Sequence, residues 1–500
     1  MRKFFLIIAV IVSLPFIAYG AARASGVISS SSLSMILNVA MGRAGPAADA
    51  AKIKQRYKLP PGFSLQLYAT DLAKVRFLHV TEAGDILASR THAGEIILLR
   101  KDDNGDGVHD GMEILLTGLS RPLGLDVHDG WLYIGESKSV GRVRFNVSEG
   151  KLSGDYQPII ENLTDNGNHY SKTVRIGSDN KLYLAQGSTC NVCEEVDERR
   201  ATMMRFNTDG SGGEIIATGL RNSVGFDWAP WNNALYATDN GRDLMGDDYP
   251  PCELNHIVEG NFYGWPYFNG NNRADPDMSA DPLAASRSPT APAHEFRAHN
   301  APLGISFVNA TGWPQDYQRS ALAALHGSWN RSIPDGYKVV SLHWTETGIE
   351  ERDFLTGFNH EGDISGRPVD VAQGPDGAVY ISDDYAGAIY KVVYTGDANA
   401  AVELTAATVN DAVIGEASWL ADADIAALTE TGKALYDDNN CAECHEGGEG
   451  ALLLTGIGER QGHEQIIEVL KAPQSPMLVY PFEEDQYRAL AVYLLRERSE

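Results

Sequence analysis

The chain has 500 residues, a hydrophobic content of 43 % and a formal net charge of -26 at pH 7. That length exceeds what a single core usually serves, so two or three domains are expected. The acidity excludes nucleic acid as a partner and describes a solvated surface, and secondarily a docking face for a basic redox protein.

Arg2 and Lys3 precede an uncharged stretch from Phe4, followed by Ala22-Arg23-Ala24, a small-x-small cleavage site. Residues 1 to 24 therefore read as a secretory signal peptide. The alternative is an uncleaved anchor, since about nineteen uncharged residues can just span a bilayer. Either way the chain is expected to be exported and periplasmic, soluble or tethered at its N-terminus. No other segment is long enough to cross a membrane.

From residue 57 to 395 the pattern is that of an all-β body. Strand-like runs follow glycine or asparagine turns at Leu132-Tyr133-Ile134, Leu182-Tyr183-Leu184, Leu235-Tyr236-Ala237 and Val379-Tyr380-Ile381. Weaker copies lie at Asp85-Ile86-Leu87-Ala88 and from Leu322 to His326. A repeat of about fifty residues with several strands per unit is the signature of a β-propeller, and six copies give six blades. One interval stretches to about ninety, where Tyr263 to Pro292 reads as an inserted loop. A two-sheet sandwich would leave the period unexplained.

Two motifs inside this body carry chemistry of their own. The run from Asp102 to Glu113 places Asp102, Asn104, Asp106, Asp110 and Glu113 at the oxygen-ligand positions of a twelve-residue calcium loop, with Gly107 at the sixth. Its apolar flanks read as strands, so a calcium-stapled hairpin is one expectation and a plain Asp-Gly turn the other. Cys190 and Cys193 form a Cys-x-x-Cys pair followed by Glu194 rather than histidine. In an exported protein a short disulfide is expected there, with metal binding or redox cycling as the other readings.

Residues 396 to 415 are rich in Ala, Thr and Asp without period and read as a linker. Between 416 and 500, helical periodicity recurs over Asp424 to Tyr436, Glu464 to Lys471 and Glu484 to Arg496. After the first of these comes Cys441-Ala442-Glu443-Cys444-His445, the run that attaches a c-type haem through two thioethers and supplies His445 to the iron. Met477 lies where a thioether completes the axial pair. A small all-α cytochrome c domain carrying haem c is expected.

The propeller also contains, in order, Asn168-His169-Tyr170, Gly219-Leu220-Arg221-Asn222, Asp239-Asn240-Gly241-Arg242, Tyr263-Gly264-Trp265-Pro266 and His326-Gly327-Ser328-Trp329-Asn330. This succession resembles the soluble sugar dehydrogenases dependent on pyrroloquinoline quinone (PQQ), especially their sorbosone dehydrogenase-like branch, over about residues 57 to 395. The resemblance implies a quinone held with Ca2+ at the top of the propeller and His169 as general base. It places Arg221 by the quinone oxygens and Asn222, His326, Asn330, Lys338 and Arg367 around the cofactor. The backbone carbonyls of Gly241 and Arg242 then hold the catalytic calcium, with Asp247 and Asp248 behind them. Val369 stands where some members have a second arginine, and Tyr170-Ser171-Lys172 replaces a glycine-rich step, so cofactor contacts and substrate preference do not carry over.

The expected function is that of a quinohaemoprotein oxidising a sugar or related aldehyde or alcohol, with an electron acceptor in the periplasm or membrane. The alternative is a propeller that binds a partner and merely carries the cytochrome. A Ca2+-dependent lactonase is a third reading, which leaves the haem motif without purpose.

Overall fold

The computed structural model describes residues 45–396 except 279 and 311, together with 422–439, 441, 454, 463–471, 482 and 484–497. The signal segment, most of the linker, Cys444, His445 and Met477 lie outside the described residues. The chain forms two compact units, Met1–Thr405 and Ala406–Glu500.

The first unit is a six-bladed β-propeller. Blade one comprises Val75–Val80, Ile86–Arg90, Glu95–Leu99 and Met112–Leu116; blade two comprises Leu125–His128, Trp131–Gly135, Val140–Asn146 and Lys151–Ile160. Blade three is Lys172–Ile176, Lys181–Gln186, Thr202–Asn207 and Glu214–Thr218, and blade four is Ser223–Trp228, Leu235–Asp239, Cys252–Ile257 and His294–Phe296. Blade five is Pro302–Phe307, Ser320–Leu325, Lys338–Thr345 and Gly348–Leu355. Blade six takes Pro368–Gln373, Val379–Asp383 and Ala388–Tyr394 from the end of the body and its outer strand, Phe63–Ala69, from the beginning. That pairing joins the two ends of the propeller in one sheet and closes the ring.

Each strand-like repeat of the sequence is the second strand of a blade. These strands are buried on both faces, because blades pack face to face, and so they read as continuous apolar runs. Outer strands such as Gly348–Leu355 alternate between buried and exposed residues along much of their length instead. The inserted segment of blade four holds a small hairpin, Phe268–Asn269 with Arg273–Ala274, and a short helix, Pro282–Ser286.

Inner strands approach one another closely at the axis. A Cβ on Gly225 would lie 2.1 Å from the Leu303 carbonyl oxygen, and one on Gly304 would lie 2.6 Å from the Cα of Asp370. In blades one, four, five and six the inner strand carries one extra residue near its start, between Val75 and Leu78, Ser223 and Phe226, Pro302 and Ile305, and Pro368 and Val371. Such bulges turn side chains out of the pleat at one end of the axis.

In the second unit, Asp422–Asp438, His463–Lys471 and Glu484–Glu497 are helices. Tyr436, Ile466, Leu470, Leu490 and Leu494 form their core, against which Cys441 packs. Gly432 permits a close crossing of the first and last helices, since a Cβ there would lie 2.6 Å from that of Tyr493. Among the described residues no helix is long and apolar enough to cross a membrane.

Candidate active site

Because strands alternate in direction, the segments leading into each inner strand and the loops joining second to third strands meet at the same end of the propeller. The residues just ahead of the inner strands are Lys74, Arg121, His169, Arg221 with Asn222, Ala301 and Arg367. Lys74, Arg121, His169 and Ala301 have left-handed backbones, with φ of 58°, 50°, 47° and 52°. Non-glycine residues held there cost about 1 kcal/mol or more each and concentrate at functional sites.

His169 is half-buried, and its Nδ1 lies 2.9 Å from the Ser188 hydroxyl and 3.1 Å from the Ser188 carbonyl oxygen. The hydroxyl donates its own hydrogen to the Cys190 carbonyl at 2.8 Å. Both Ser188 oxygens are thus acceptors, which puts the hydrogen on Nδ1 and the lone pair on Nε2. Nε2 has no partner among the described residues. Burial, then the Arg221 and Arg200 charges, push this histidine down to about 3, so the imidazole is neutral at pH 7.

Arg221 is 3 % exposed and donates to the carbonyls of Asn191, Asn240 and Gly241, to Asn191 Oδ1 and to Asp243 Oδ2 at 2.8–3.0 Å. All five of its N–H groups are therefore occupied by protein. It ties the segment ahead of blade four to two loops. One is the Asn191 loop, pinned by a disulfide between Cys190 and Cys193. The other carries Gly241, and Arg242 there donates from Nη1 to both Asp275 oxygens at 2.7 Å and from Nη2 to Asp277. Asn222 donates its backbone N–H to Asp239 at 2.6 Å.

Asp239 and Glu253 are cross-strand neighbours, 4 % and 9 % exposed. They line a cavity of about 20 Å³ shared with Gly241 and Arg242. Burial raises Asp239 to about 7, and burial with the Asp239 charge raises Glu253 to about 8. Two buried carboxylates beside backbone carbonyls are the donor set of a hard cation. Asp247 and Asp248 instead pair with Ser332 and Arg331.

On the opposite side of the mouth, His326 donates Nε2–H to Asp384 at 2.9 Å, and Arg76 pairs with the other Asp384 oxygen. Burial, then Arg367, lower His326 to about 4. Burial disfavours the Asp384 carboxylate, yet His326 and Arg76 beside it hold it well below the usual range. Arg367 is 8 % exposed and donates to the carbonyls of His326 and Gly327, leaving Nη1 without a partner. Lys74 is 9 % exposed and has neither hydrogen bond nor ion pair, while Arg367, Arg76 and Asp384 act on its charge. Asn330 donates to Asp243 at 3.3 Å with its oxygen buried and unpartnered.

Lys338 and the separate loop from Asp102 to Glu113 have partners of their own. Lys338 runs outward along blade five to Asp353 at 2.6 Å, so its charge is already answered on the outer strand. In the loop from Asp102 to Glu113, Asp102 accepts the backbone N–H groups of Gly105, Asp106 and Gly107, and Glu113 is drawn to Arg100. Asn104 and Asp106 likewise accept backbone N–H groups two residues on, so the segment is a turn whose Asp and Asn side chains bind its own backbone. Sequence reasoning missed Lys74, Arg76, Asp384, Asp239 and Glu253. The positional signal was available for Lys74, which precedes an inner strand as His169 and Arg367 do.

A closed six-bladed propeller thus gathers at one mouth Lys74 without a partner, Arg367 with a free Nη1 and a neutral His169. The chain belongs to the TrAA12-like family, whose model it matches over residues 57–261 and 271–395. It is 33 % identical over 365 residues to an uncharacterised protein of Borreliella burgdorferi, covering 69 % of this chain and 93 % of that one. It is 25 % identical to a pyrroloquinoline quinone-dependent sugar dehydrogenase of Hypocrea jecorina, over 67 % of this chain and 89 % of the relative. The fold is shared with a Trichoderma reesei carbohydrate-active enzyme of family AA12, at TM-score 0.60 and 21 % identity over 68 % of this chain and 98 % of the other. The holo pyranose dehydrogenase PQQ domain of Coprinopsis cinerea also matches, at TM-score 0.58 and 20 % identity, over 70 % and 98 % of the two chains.

Proposed function

We propose that this protein oxidises a sugar or related aldehyde or alcohol with PQQ bound at the propeller mouth and passes the electrons to a haem c in its C-terminal unit. The observation that carries the reading is the pair of buried cations at the mouth, Lys74 without a partner and Arg367 with a free Nη1. An acidic protein that keeps such groups unanswered has a place for a small polyanion, which a tricarboxylate quinone fits. Relatives named as PQQ-dependent sugar dehydrogenases support the same conclusion.

When bound, PQQ supplies a two-electron acceptor and haem c a one-electron carrier. The chain's own residues do the rest. His169 presents the Nε2 lone pair to a substrate hydroxyl and accepts its proton, Nδ1–H being held by Ser188. Arg367 and Lys74 would meet carboxylates of the cofactor, with Asn222, His326 and Asn330 around it. Arg221 acts as a brace that fixes the Asn240 and Gly241 carbonyls. A Ca2+ ion would take the carbonyls of Gly241 and Arg242, and the neighbouring Asp239 and Glu253 supply the negative charge such an ion needs.

Haem c would be held covalently by Cys441 and Cys444, with His445 and Met477 on the iron. Three helices with a common core against which Cys441 packs support that placement. Haem attachment in turn favours export to the periplasm, where an acceptor in the periplasm or membrane takes the electrons onward.

The test is reconstitution of the apo-protein with PQQ and Ca2+ while haem absorbance is followed against a panel of aldoses, aldehydes and alcohols. Haem reduction that requires cofactor and substrate together is expected. Reduction of neither haem nor an artificial dye by any substrate overturns the oxidoreductase reading, and an intact mass without the haem increment overturns the cytochrome half.

A further inference from the structure

We infer that Arg200 and Lys172 are the positioning residues of this site: two buried cations that grip the backbone of the His169 loop and aim its imidazole into the mouth. The inference rests on the reading of His169 as the base.

Arg200 is 2 % exposed, yet makes no ion pair among the described residues. Its guanidinium is spent on backbone carbonyls. Nε donates to Gly187 at 2.6 Å; Nη1 to Thr164 and Asn166 at 3.1 and 3.3 Å; Nη2 to Asn168, Ser188 and His169 at 2.8, 2.8 and 3.3 Å. Lys172 is fully buried, and its Nζ donates to Thr164 at 3.1 Å and Tyr170 at 2.8 Å. The two cations thus bracket residues 164–170, which form no strand before Lys172, and Arg200 also holds the Ser188 carbonyl that receives Nδ1–H of His169.

Burying a cation without a carboxylate is costly, and an apolar residue would fill the space more cheaply. The return is geometric. Carbonyls that belong to neither helix nor sheet receive donors, and a left-handed His169, φ 47°, is kept from relaxing. The charges acting on the imidazole are Arg221 from blade four and Arg200 on its own blade, while burial and then Arg200 lower Lys172 to about 7, so that its grip on the loop is through its hydrogen bonds. The nearby carboxylates are already engaged, Asp165 by Arg121, Asp197 by Arg199 and Glu195 by Thr189. Burial first, and then the Arg221 and Arg200 charges, keep Nε2 unprotonated.

The experiment compares Arg200→Met, Arg200→Lys and Lys172→Met by two readouts. The first is NMR of 15N-histidine-labelled apo-protein, with His169 assigned from His169→Gln. Wild type should show no His169 titration between pH 5 and 8, and Arg200→Met should move the His169 titration upward from its wild-type position, while Arg200→Lys should not. The second is turnover of the reconstituted enzyme, where Arg200→Met should lower kcat about tenfold or more with KM nearly unchanged. Arg200→Lys should recover only part of that loss. If Arg200→Met fails to fold, Lys172→Met, which leaves the Arg200 bonds in place, is read the same way with a smaller effect. A folded variant with wild-type titration and wild-type kcat overturns the inference. Full turnover in His169→Gln would instead overturn the base, and the titration would still decide what Arg200 does.

Discussion

Gly187 lies against His169 so closely that a Cβ on it would sit 2.7 Å from the His169 Cβ and 2.5 Å from Asn222 Oδ1. The position just after the second strand of blade three is therefore held by the one residue type that lets His169 and its neighbour from blade four stand side by side. Gly187→Ala should leave a folded propeller, because the strain falls on two side chains at a loop. Substrate-driven reduction should drop about tenfold to a hundredfold, the cost of moving a reacting group by a fraction of an ångström to one ångström. Steady-state kinetics with an artificial dye measures it, and unchanged kcat would free His169 of any need for that position.

His169→Gln keeps a hydrogen-bonding group but not a proton acceptor, so turnover should fall about a hundredfold or more. The same variant has a stability signature. His169 is lowered from its ordinary 6.5 to about 3. A folded value below the unfolded one gives stability that is present above pH 6.5 and lost progressively as pH falls toward 3. Wild type should lose more thermal stability than His169→Gln between pH 7.5 and 4.5, and equal losses would mean the imidazole is accessible to protons in the folded state.

Asp239 and Glu253 carry the opposite sign. Their folded values, about 7 and about 8, lie above the ordinary 3.8 and 4.5. The stability they contribute is complete below those ordinary values and disappears as pH rises through 7 and 8. Metal-free protein should therefore melt lower at pH 8.5 than at pH 5.5. Ca2+ should restore the loss and release protons near neutrality, and Asp239→Asn with Glu253→Gln should flatten the pH dependence without calcium. Melting that ignores both pH and chelator would remove these carboxylates from any cation site.

Lys74→Met removes a buried charge that has no protein partner, so the metal-free, cofactor-free protein should be as stable as wild type or more so. Affinity for PQQ, read by titration of its absorbance or fluorescence, should weaken about tenfold to a hundredfold, the size of one charge-assisted hydrogen bond. Retained affinity would place the tricarboxylate elsewhere on the mouth.

Cleavage within residues 396–415 should leave substrate-driven dye reduction intact, because His169, Arg221, Lys74 and Arg367 all precede residue 395. Haem reduction should become slow and concentration-dependent once the linker no longer sets a high effective concentration. Stopped-flow haem absorbance on intact and cut protein distinguishes this from a cytochrome that serves another donor.

The amino-acid pattern alone determined the number of blades, because second strands buried between sheets must be apolar throughout, and Leu132-Tyr133-Ile134 and its counterparts show this wherever they occur. The resemblance of its motifs pointed to His169 and Arg367, and local spacing marked the Cys441 to His445 run. Only the closed ring decided the rest. Lys74 and Arg367 lie 293 positions apart (367 minus 74) and share one electrostatic environment because blade six is completed by the strand that begins the body. The pairing of Lys338 with Asp353 and of Arg100 with Glu113 also depends on which strands lie side by side, which the order of residues does not give. Arg200 is silent in sequence for a related reason. Its partners are backbone carbonyls, which every residue carries, so nothing in the order of side chains announces where a loop will turn them toward one buried guanidinium.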